Sequence, residues 1–537
     1  MLFLRERHPM TRFEASFFSL LDTFSAWIER HARMACALAL FVLLLAGLGV
    51  ASQKAFWYDE IVTVFTAQLP TQQLLQFFHR GLDTTGPVQS LLARLGLLLP
   101  IAPELAARLP FLFAFLGMCL ALFLFVRRRL GASPALSALL LPLAFPDLFY
   151  FMTEARAYAI LLGGIALAMV FWQVAAEVKK PSWALVGFWM ALAIAVSAHL
   201  FAVFALMPFA AAQFVQDRQR RAIHWPLWIA LCTFPAGYLP WLHGALLARR
   251  IYLPHYHAQP SIHMLIAVYK SLYLSHALQI LCLLVLLAGV LAWRTKKADC
   301  ATPPQPSFHS AEWILLLSLC FLPVFQFAGS FLIGAYRTNY AIPLYLGLIP
   351  LAQGVAAHLA RQRATVGPVL LLVSLGAVLA IQGKALPRGI HALLHPVAVH
   401  AEVARQILAS PSAQLVAQSP LPVVLDPNTY MQLDYYEPLA MRARLHTLID
   451  DAQFSHSGPL SISDQQNLQA FAQALPVSAE HFEDFRAQHP HFLLELSPDA
   501  LEWLPGYLRK RAQAQRDLTL QSAGIANAPQ ILDVRFQ

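Results

Sequence analysis

The stretch MACALALFVLLLAGLGVAS, Met34 to Ser52, carries no charged residue, and comparable apolar runs recur along most of the chain. A span needs about 20 mainly apolar residues to cross a hydrocarbon core of about 30 Å. Within that core every backbone polar group must be paired internally, so a series of such runs folds as a bundle of helices. Only 12% of residues are charged and 58% are hydrophobic, against about 25% charged in soluble domains. The fold class expected is an α-helical polytopic membrane protein.

Basic clusters give the topology, because Lys and Arg mark the cytoplasmic ends of spans. Arg127-Arg128-Arg129, Lys179-Lys180, Arg218 with Arg220-Arg221, Arg294 with Lys296-Lys297, and Arg361 with Arg363 fall between apolar runs. Each neighbouring pair then encloses an even number of crossings. The apolar block between Lys180 and Arg218 would be roughly 50 Å long as one helix, so it must turn back near His199. Spans are expected near 34–52, 109–126, 134–152, 157–176, the hairpin, 225–243, 276–293, 312–332, 341–360 and 366–383, about eleven in all. The odd count places the N-terminal segment, 1–33, in the cytoplasm and the region from 384 to 537 outside. The net charge of +9 therefore reads as topology, and nucleic acid is not an expected partner. The polar tail, with LPVVLDP, HFLLEL and ILDVRF as strands between helical stretches, is expected to be a small α/β domain. The six cysteines form no CxxC pair, which suggests neither a disulfide framework nor a zinc site. His255 and His257 in LPHYHAQP lack a third ligand at a recognisable spacing, so no metal site is expected, and dependence on a divalent metal stays open.

This topology gathers unusual polar residues on the outer face. Asp59 and Glu60 follow the first span directly, and an ionisable residue at the membrane boundary is by default a functional-site candidate. Neighbouring residues on a helix do not share a direction, so at most one of the two should face a reacting atom. Arg156, Arg249, Arg250, Lys270 and Arg337 are outer cations, against the usual bias, and His199, His255, His257 and His263 join them. Cations at head-group level suit a phosphate. A carboxylate beside them suits proton removal from an attacking hydroxyl. Two other readings use the same inventory. A transporter or flippase of a lipid-linked sugar also needs outer cations, but a proton-coupled one should carry acids inside its spans. A scaffold that presents the tail domain needs no carboxylate at all.

The segments WYDE after the first span, TEARAYAILLGGIALA, SAHLFAVFAL and YRTNYAIPLYLGLIPLAQGV resemble the membrane-embedded glycosyltransferases of the C-type superfamily (GT-C). The branch is that of the dolichyl-phosphate-mannose protein mannosyltransferases, the aminoarabinose transferase of lipid A and bacterial enzymes using polyprenyl-phosphate sugars. The resemblance spans roughly residues 34–380. It implies an inverting glycosyltransferase in the cell inner membrane. A polyprenyl-phosphate-linked sugar would be the donor, membrane lipid a further partner, and a lipid, glycan or protein the acceptor. It also implies that Asp59 is the catalytic base with Glu60 as its partner, and that Glu154, Arg156 and Tyr158 lie near the donor. Arg249, Arg250 and Arg337 become candidates for the phosphate and His199 for the substrate site, although His199 by itself reads first as a hydrogen-bonded turn residue. Relatives often carry a His-Pro-Pro element where this chain has DTTGPVQSLLARL, which leaves Asp83 unassigned.

Overall fold

The computed structural model describes residues 12–537 except 84–85, 178–181, 253–259, 275, 295–306, 360–365, 437–438, 451–464, 466, 470, 497–502, 515–517 and 524–529. Lys179, Lys180, His255, His257, Lys296, Lys297, Cys300, Arg361 and Arg363 lie outside the described residues.

Uniformly apolar runs become helices as expected, but prolines divide several of them. The chain begins with α1 (Arg12–Arg30) and α2 (Ala32–Ala51). The stretch read as a first outer loop is itself helical, forming α3 (Tyr58–Gln68), α4 (Thr71–His79) and α5 (Val88–Leu97) before α6 (Pro103–Leu130). Its helices, of 9 to 11 residues, are too short to register as spans. The run near 134–152 splits into α7 (Ala132–Leu140), a 3-10 turn at Leu141–Ala144, and α8 (Pro146–Met152). Pro142 and Pro146 each lack the N–H that a continuous helix requires. After α9 (Tyr158–Glu177) comes the expected hairpin. Its first arm is α10 (Ser182–Ala198), the chain turns at His199, and a 3-10 turn leads into α11 (Leu206–Arg220). Pro235 likewise separates α12 (Trp225–Thr233) from α13 (Leu239–Tyr252), and α14 (Ile262–Leu274) occupies a segment expected to be loop.

The remaining membrane part is α15 (His276–Arg294), α16 (Ser310–Cys320), α17 (Leu322–Ile333), α18 (Leu344–Leu359), α19 (Val366–Gln382) and α20 (Ala385–Leu394). The pair α16 and α17 is bent by 54° and the pair α19 and α20 by 69°. Among the described residues four stretches are long and apolar enough to cross a membrane, namely Ala32–Ala51, Pro103–Leu130, Tyr158–Glu177 and Leu200–Arg220, or six counting each bent pair as one span. Six shorter apolar helices accompany them. Helix α20 crosses α2 with backbones in contact. A Cβ on Gly389 would lie 1.8 Å from the Leu45 carbonyl oxygen, and one on Gly49 would lie 1.9 Å from that of Ala385. Only glycine permits this approach.

Charged groups collect at the two ends of the bundle. At one end the C-terminal turns of α6 and α9 meet the start of α16. There Arg128 and Arg129 pair with Glu177, and Arg129 also pairs with Glu312 at 2.9 Å. The other end carries Glu60, Arg108 and Glu154.

Beyond α20 the chain passes through α21 (Ala398–Leu408) and α22 (Pro411–Gln418) into a five-stranded sheet of order β2-β1-β5-β7-β6. Here β1 is Val423–Val424, β2 Leu445–His446, β5 His491–Leu496, β6 Leu518–Ala523 and β7 Gln530–Phe536. The pairs β2-β1 and β1-β5 are parallel, while β5-β7 and β7-β6 are antiparallel. A separate small sheet pairs β3 (Leu448–Ile449) with β4 (Glu480–His481). HFLLEL is β5 in full and ILDVRF lies within β7. By contrast, LPVVLDP contributes only two strand residues before α23 (Pro427–Tyr436) begins. Phe482, Phe485, Phe492, Trp503 and Val534 build a core of their own on the distal side. On the near side Val423, Tyr430, Met431, Tyr436 and Phe471 continue the core of the helix bundle.

Candidate active site

Asp59 and Glu60 are the second and third residues of α3, where carboxylates complement the helix dipole. One step along a helix turns the side chain through about 100°, and the two acids part company. Glu60 points inward and is fully buried. Its carboxylate receives both arms of Arg108, Nε to Oε1 at 2.8 Å and Nη2 to Oε2 at 2.6 Å, and the backbone N–H of Ala155 at 2.8 Å.

Arg108 is itself 1% exposed. It donates further to the carbonyls of Ala51 at 2.8 Å, Lys54 at 2.6 Å and Ala55 at 3.0 Å, and its guanidinium lies 4.8 Å over the Phe56 ring. One guanidinium thus satisfies the carbonyls freed as α2 ends and fixes the bend into α3. Two residues before an internal proline in an apolar helix, Arg108 looks in the sequence like a boundary charge. Its pairing partner lies 48 positions upstream, which no local pattern reveals.

Asp59 points outward, with 31% of its side chain exposed. Arg156 holds it, Nη2 to Oδ2 at 3.1 Å, and the same guanidinium reaches the Asp59 carbonyl at 3.4 Å. Burial draws the Arg156 side chain toward neutrality, but Asp59 and then Asp83 more than reverse this, so its pKa is raised and it stays charged. Asp83, left unassigned by the sequence, thus adds to the negative charge around the same cation. Glu154, two residues from Arg156, turns the other way and meets Lys54. The Lys54 Nζ lies 3.3 Å from Glu154 Oε1, 3.4 Å from Thr153 Oγ1 and 3.9 Å above the Tyr150 ring. Burial pushes the Glu154 carboxyl up and the Lys54 ammonium down, each shift being partly offset by the other group. Lys54 and Tyr150 were not singled out in the sequence. The signal available for Lys54 was its place five residues before Asp59.

The quoted segments converge on this end of the bundle. Tyr158, at the start of α9, accepts a hydrogen bond from Asn339 Nδ2 at 2.6 Å. Its ring lies 5.6 Å from that of His199, which in turn lies 5.0 Å from Tyr340. His199 Nδ1 accepts the Phe201 N–H at 3.3 Å, the turn-capping role that its position suggested. Arg337 is half-buried three residues before Tyr340. Arg249 and Arg250 sit exposed in the last turn of α13, and α13 packs on α4 where Gly81 approaches Ala248. Lys270 and His263 are exposed on α14. Asp59, Arg156, Lys54, Glu154 and Tyr158 are thus drawn together, Glu60 is turned away into the core, and the α13 arginines lie on a separate helix.

Neither a protein-family model nor a curated protein matches the chain. Solved structures do. The ArnT of Cupriavidus metallidurans bound to undecaprenyl phosphate superposes with a TM-score of 0.53 at 12% identity, covering 95% of this chain and 98% of that one. The apo form of ArnT matches with the same TM-score and coverage at 14% identity. From its bundle through its small C-terminal sheet, the chain shares the polytopic membrane fold of ArnT.

Proposed function

We propose that the protein is an inverting glycosyltransferase of the inner membrane. It would take a sugar from a polyprenyl-phosphate carrier and attach it to a lipid, glycan or protein acceptor on the outer face, with the N-terminal segment cytoplasmic and the C-terminal domain outside. The observation that carries this reading is the pairing of a partly exposed carboxylate, Asp59, with a largely buried guanidinium, Arg156, 3.1 Å away. Asp59 is positioned to take the proton of an acceptor hydroxyl as that oxygen attacks the anomeric carbon. The bond from that carbon to the phosphate oxygen breaks with inversion, and the polyprenyl phosphate leaves as an anion that needs cations rather than a proton donor. Arg156, paired with Asp59, and Lys54, paired with Glu154, are the cations assigned to it, with Arg337, Arg249 and Arg250 as further candidates. The fold shared with a protein solved with undecaprenyl phosphate supports a carrier of that class.

The acids of the bundle favour transfer over transport. Glu104, Glu154 and Glu312 stand at or just outside helix starts, Asp217 stands in the last turn of α11, and each is hydrogen-bonded or ion-paired. A proton-coupled transporter would place acids midway along its spans.

The test is complementation of a deletion strain. Asp59→Asn should leave the protein in the membrane and lower turnover by about 10²–10⁴-fold, the span of a lost general base, so that the lipid-linked sugar accumulates. Full restoration by Asp59→Asn overturns the assignment.

A further inference from the structure

The C-terminal domain grips the backbone three residues before Asp59. Phe56 is fully buried between α2 and α3, where its N–H and C=O belong to no helix. Both are taken by side chains of α23. The Phe56 N–H donates to Tyr436 Oη at 3.0 Å, and Gln432 Nε2 donates to the Phe56 carbonyl at 2.9 Å. The Phe56 ring, under Arg108 on one side, meets the edge of Tyr435 at 5.5 Å, and Tyr435 also touches Phe65 of α3. The grip is anchored in turn. Tyr436 stacks on His400 of α21 at 5.9 Å, and His400 Nδ1 lies 2.8 Å from Glu104 at the start of α6.

A buried peptide group is normally satisfied within its own element. Here the carbonyls of residues 51, 54 and 55 are held by Arg108 from the bundle and the peptide groups of residue 56 by the C-terminal domain, so the start of α3 is fixed from both sides. We infer that the C-terminal domain is a positioning element for the Asp59 carboxylate, with Tyr436 and Gln432 as its positioning residues acting through the Phe56 peptide group. This rests on the transferase reading for its catalytic meaning, while the positioning itself does not. Geometry of this kind matters because a displacement of about 1 Å at a reacting group costs up to about 10²-fold in rate.

The experiment uses the full-length protein in lipid nanodiscs. Tyr436→Phe keeps the ring and Gln432→Met keeps the volume, so each removes one hydrogen bond with little change in packing. Three quantities are read: hydrogen exchange at Phe56, the rate at which a water-soluble carbodiimide with an amine labels Asp59, and turnover with solubilised membranes of the deletion strain supplying donor and acceptor. In the double variant, losing two buried hydrogen bonds should speed both exchange at Phe56 and labelling of Asp59 by about tenfold. Turnover at saturating membrane extract should fall by about tenfold or more with half-saturation unchanged, and each single variant should fall between. A role confined to stability would lower the melting temperature and leave the labelling of Asp59 in the folded protein unmoved. Labelling at the wild-type rate while Phe56 exchanges freely overturns the inference, as does a Phe56 amide that stays protected in the double variant. If the double variant does not fold, the single variants decide by the same criteria. The labelling arm needs no substrate, so its failure sinks the clamp alone, whereas an active Asp59→Asn sinks the transferase reading alone.

Discussion

Arg108→Met cuts the junction between the bundle and α3 at one atom group, and the structure fixes what is left behind. The Glu60 carboxylate, fully buried, loses both arms of its partner, and the carbonyls of Ala51, Lys54 and Ala55 lose their donor. Removing one member of a buried ion pair costs about 3–5 kcal/mol, a large share of a typical total of about 5–15 kcal/mol. The informative variant is the double one, Glu60→Met with Arg108→Met. If the residues formed only an ion pair, replacing both by apolar groups would be nearly neutral. Here the double variant still strands three carbonyls and the Ala155 N–H, at about 1–3 kcal/mol for each group that water does not reach. Only the Ala51 carbonyl and the Ala155 N–H bonds are fully buried, so it should recover the charge penalty and remain about 2–6 kcal/mol below wild type. Cys119 in α6 is fully buried, so its maleimide reactivity during a denaturant titration reports the unfolding. A double variant as stable as wild type refutes the view that Arg108 holds backbone as well as charge.

Two further outcomes follow from packing and charge elsewhere. Gly389→Leu must push α20 off α2, because even a Cβ would stand 1.8 Å from the Leu45 carbonyl; a lowered melting temperature and faster proteolysis after α19 are expected, and wild-type values contradict that contact. In the C-terminal domain, the Glu480 carboxyl is held below its ordinary value by a hydrogen bond with His446, against burial. A carboxylate held low stabilises the fold above its unfolded pKa of about 4.3, and that contribution fades as pH falls through the lowered native value. Glu480→Gln should accordingly flatten the acid limb of stability in near-ultraviolet circular dichroism, and an unchanged limb argues against the pair.

The sequence disclosed those features that depend on local hydrophobicity. The hairpin at His199 followed from length alone, since an apolar block that long cannot remain one helix inside a bilayer. HFLLEL was recognisable as a strand from its apolar composition between polar flanks. What stayed hidden depends on contacts between distant segments. Arg108 and Glu60 are 48 residues apart, and α3 to α5 alternate polar and apolar groups too irregularly to stand out from loop. Tyr436 and Gln432 sit in a stretch, PNTYMQLDYY, whose mixed polar and aromatic composition has no pattern that points to a segment 380 residues away. The divergence of Asp59 from Glu60 was legible in kind because neighbouring helical positions cannot share a direction, whereas Glu154 and Arg156 lie in the non-helical link between α8 and α9. Which member of each pair faced outward was not legible, because burial is a property of the assembled bundle.

The bond between the Phe56 amide and Tyr436 joins positions 380 residues apart, and this has a consequence for biosynthesis. At about 5–20 residues per second, translation reaches Tyr436 only some 20–80 s after Phe56 has been made. Throughout that interval the newly inserted helices contain the acidic residue without the brace that orients it. A nascent or prematurely terminated polypeptide therefore lacks the group that takes the Phe56 N–H, and the start of α3 gains its second hold only late in the message.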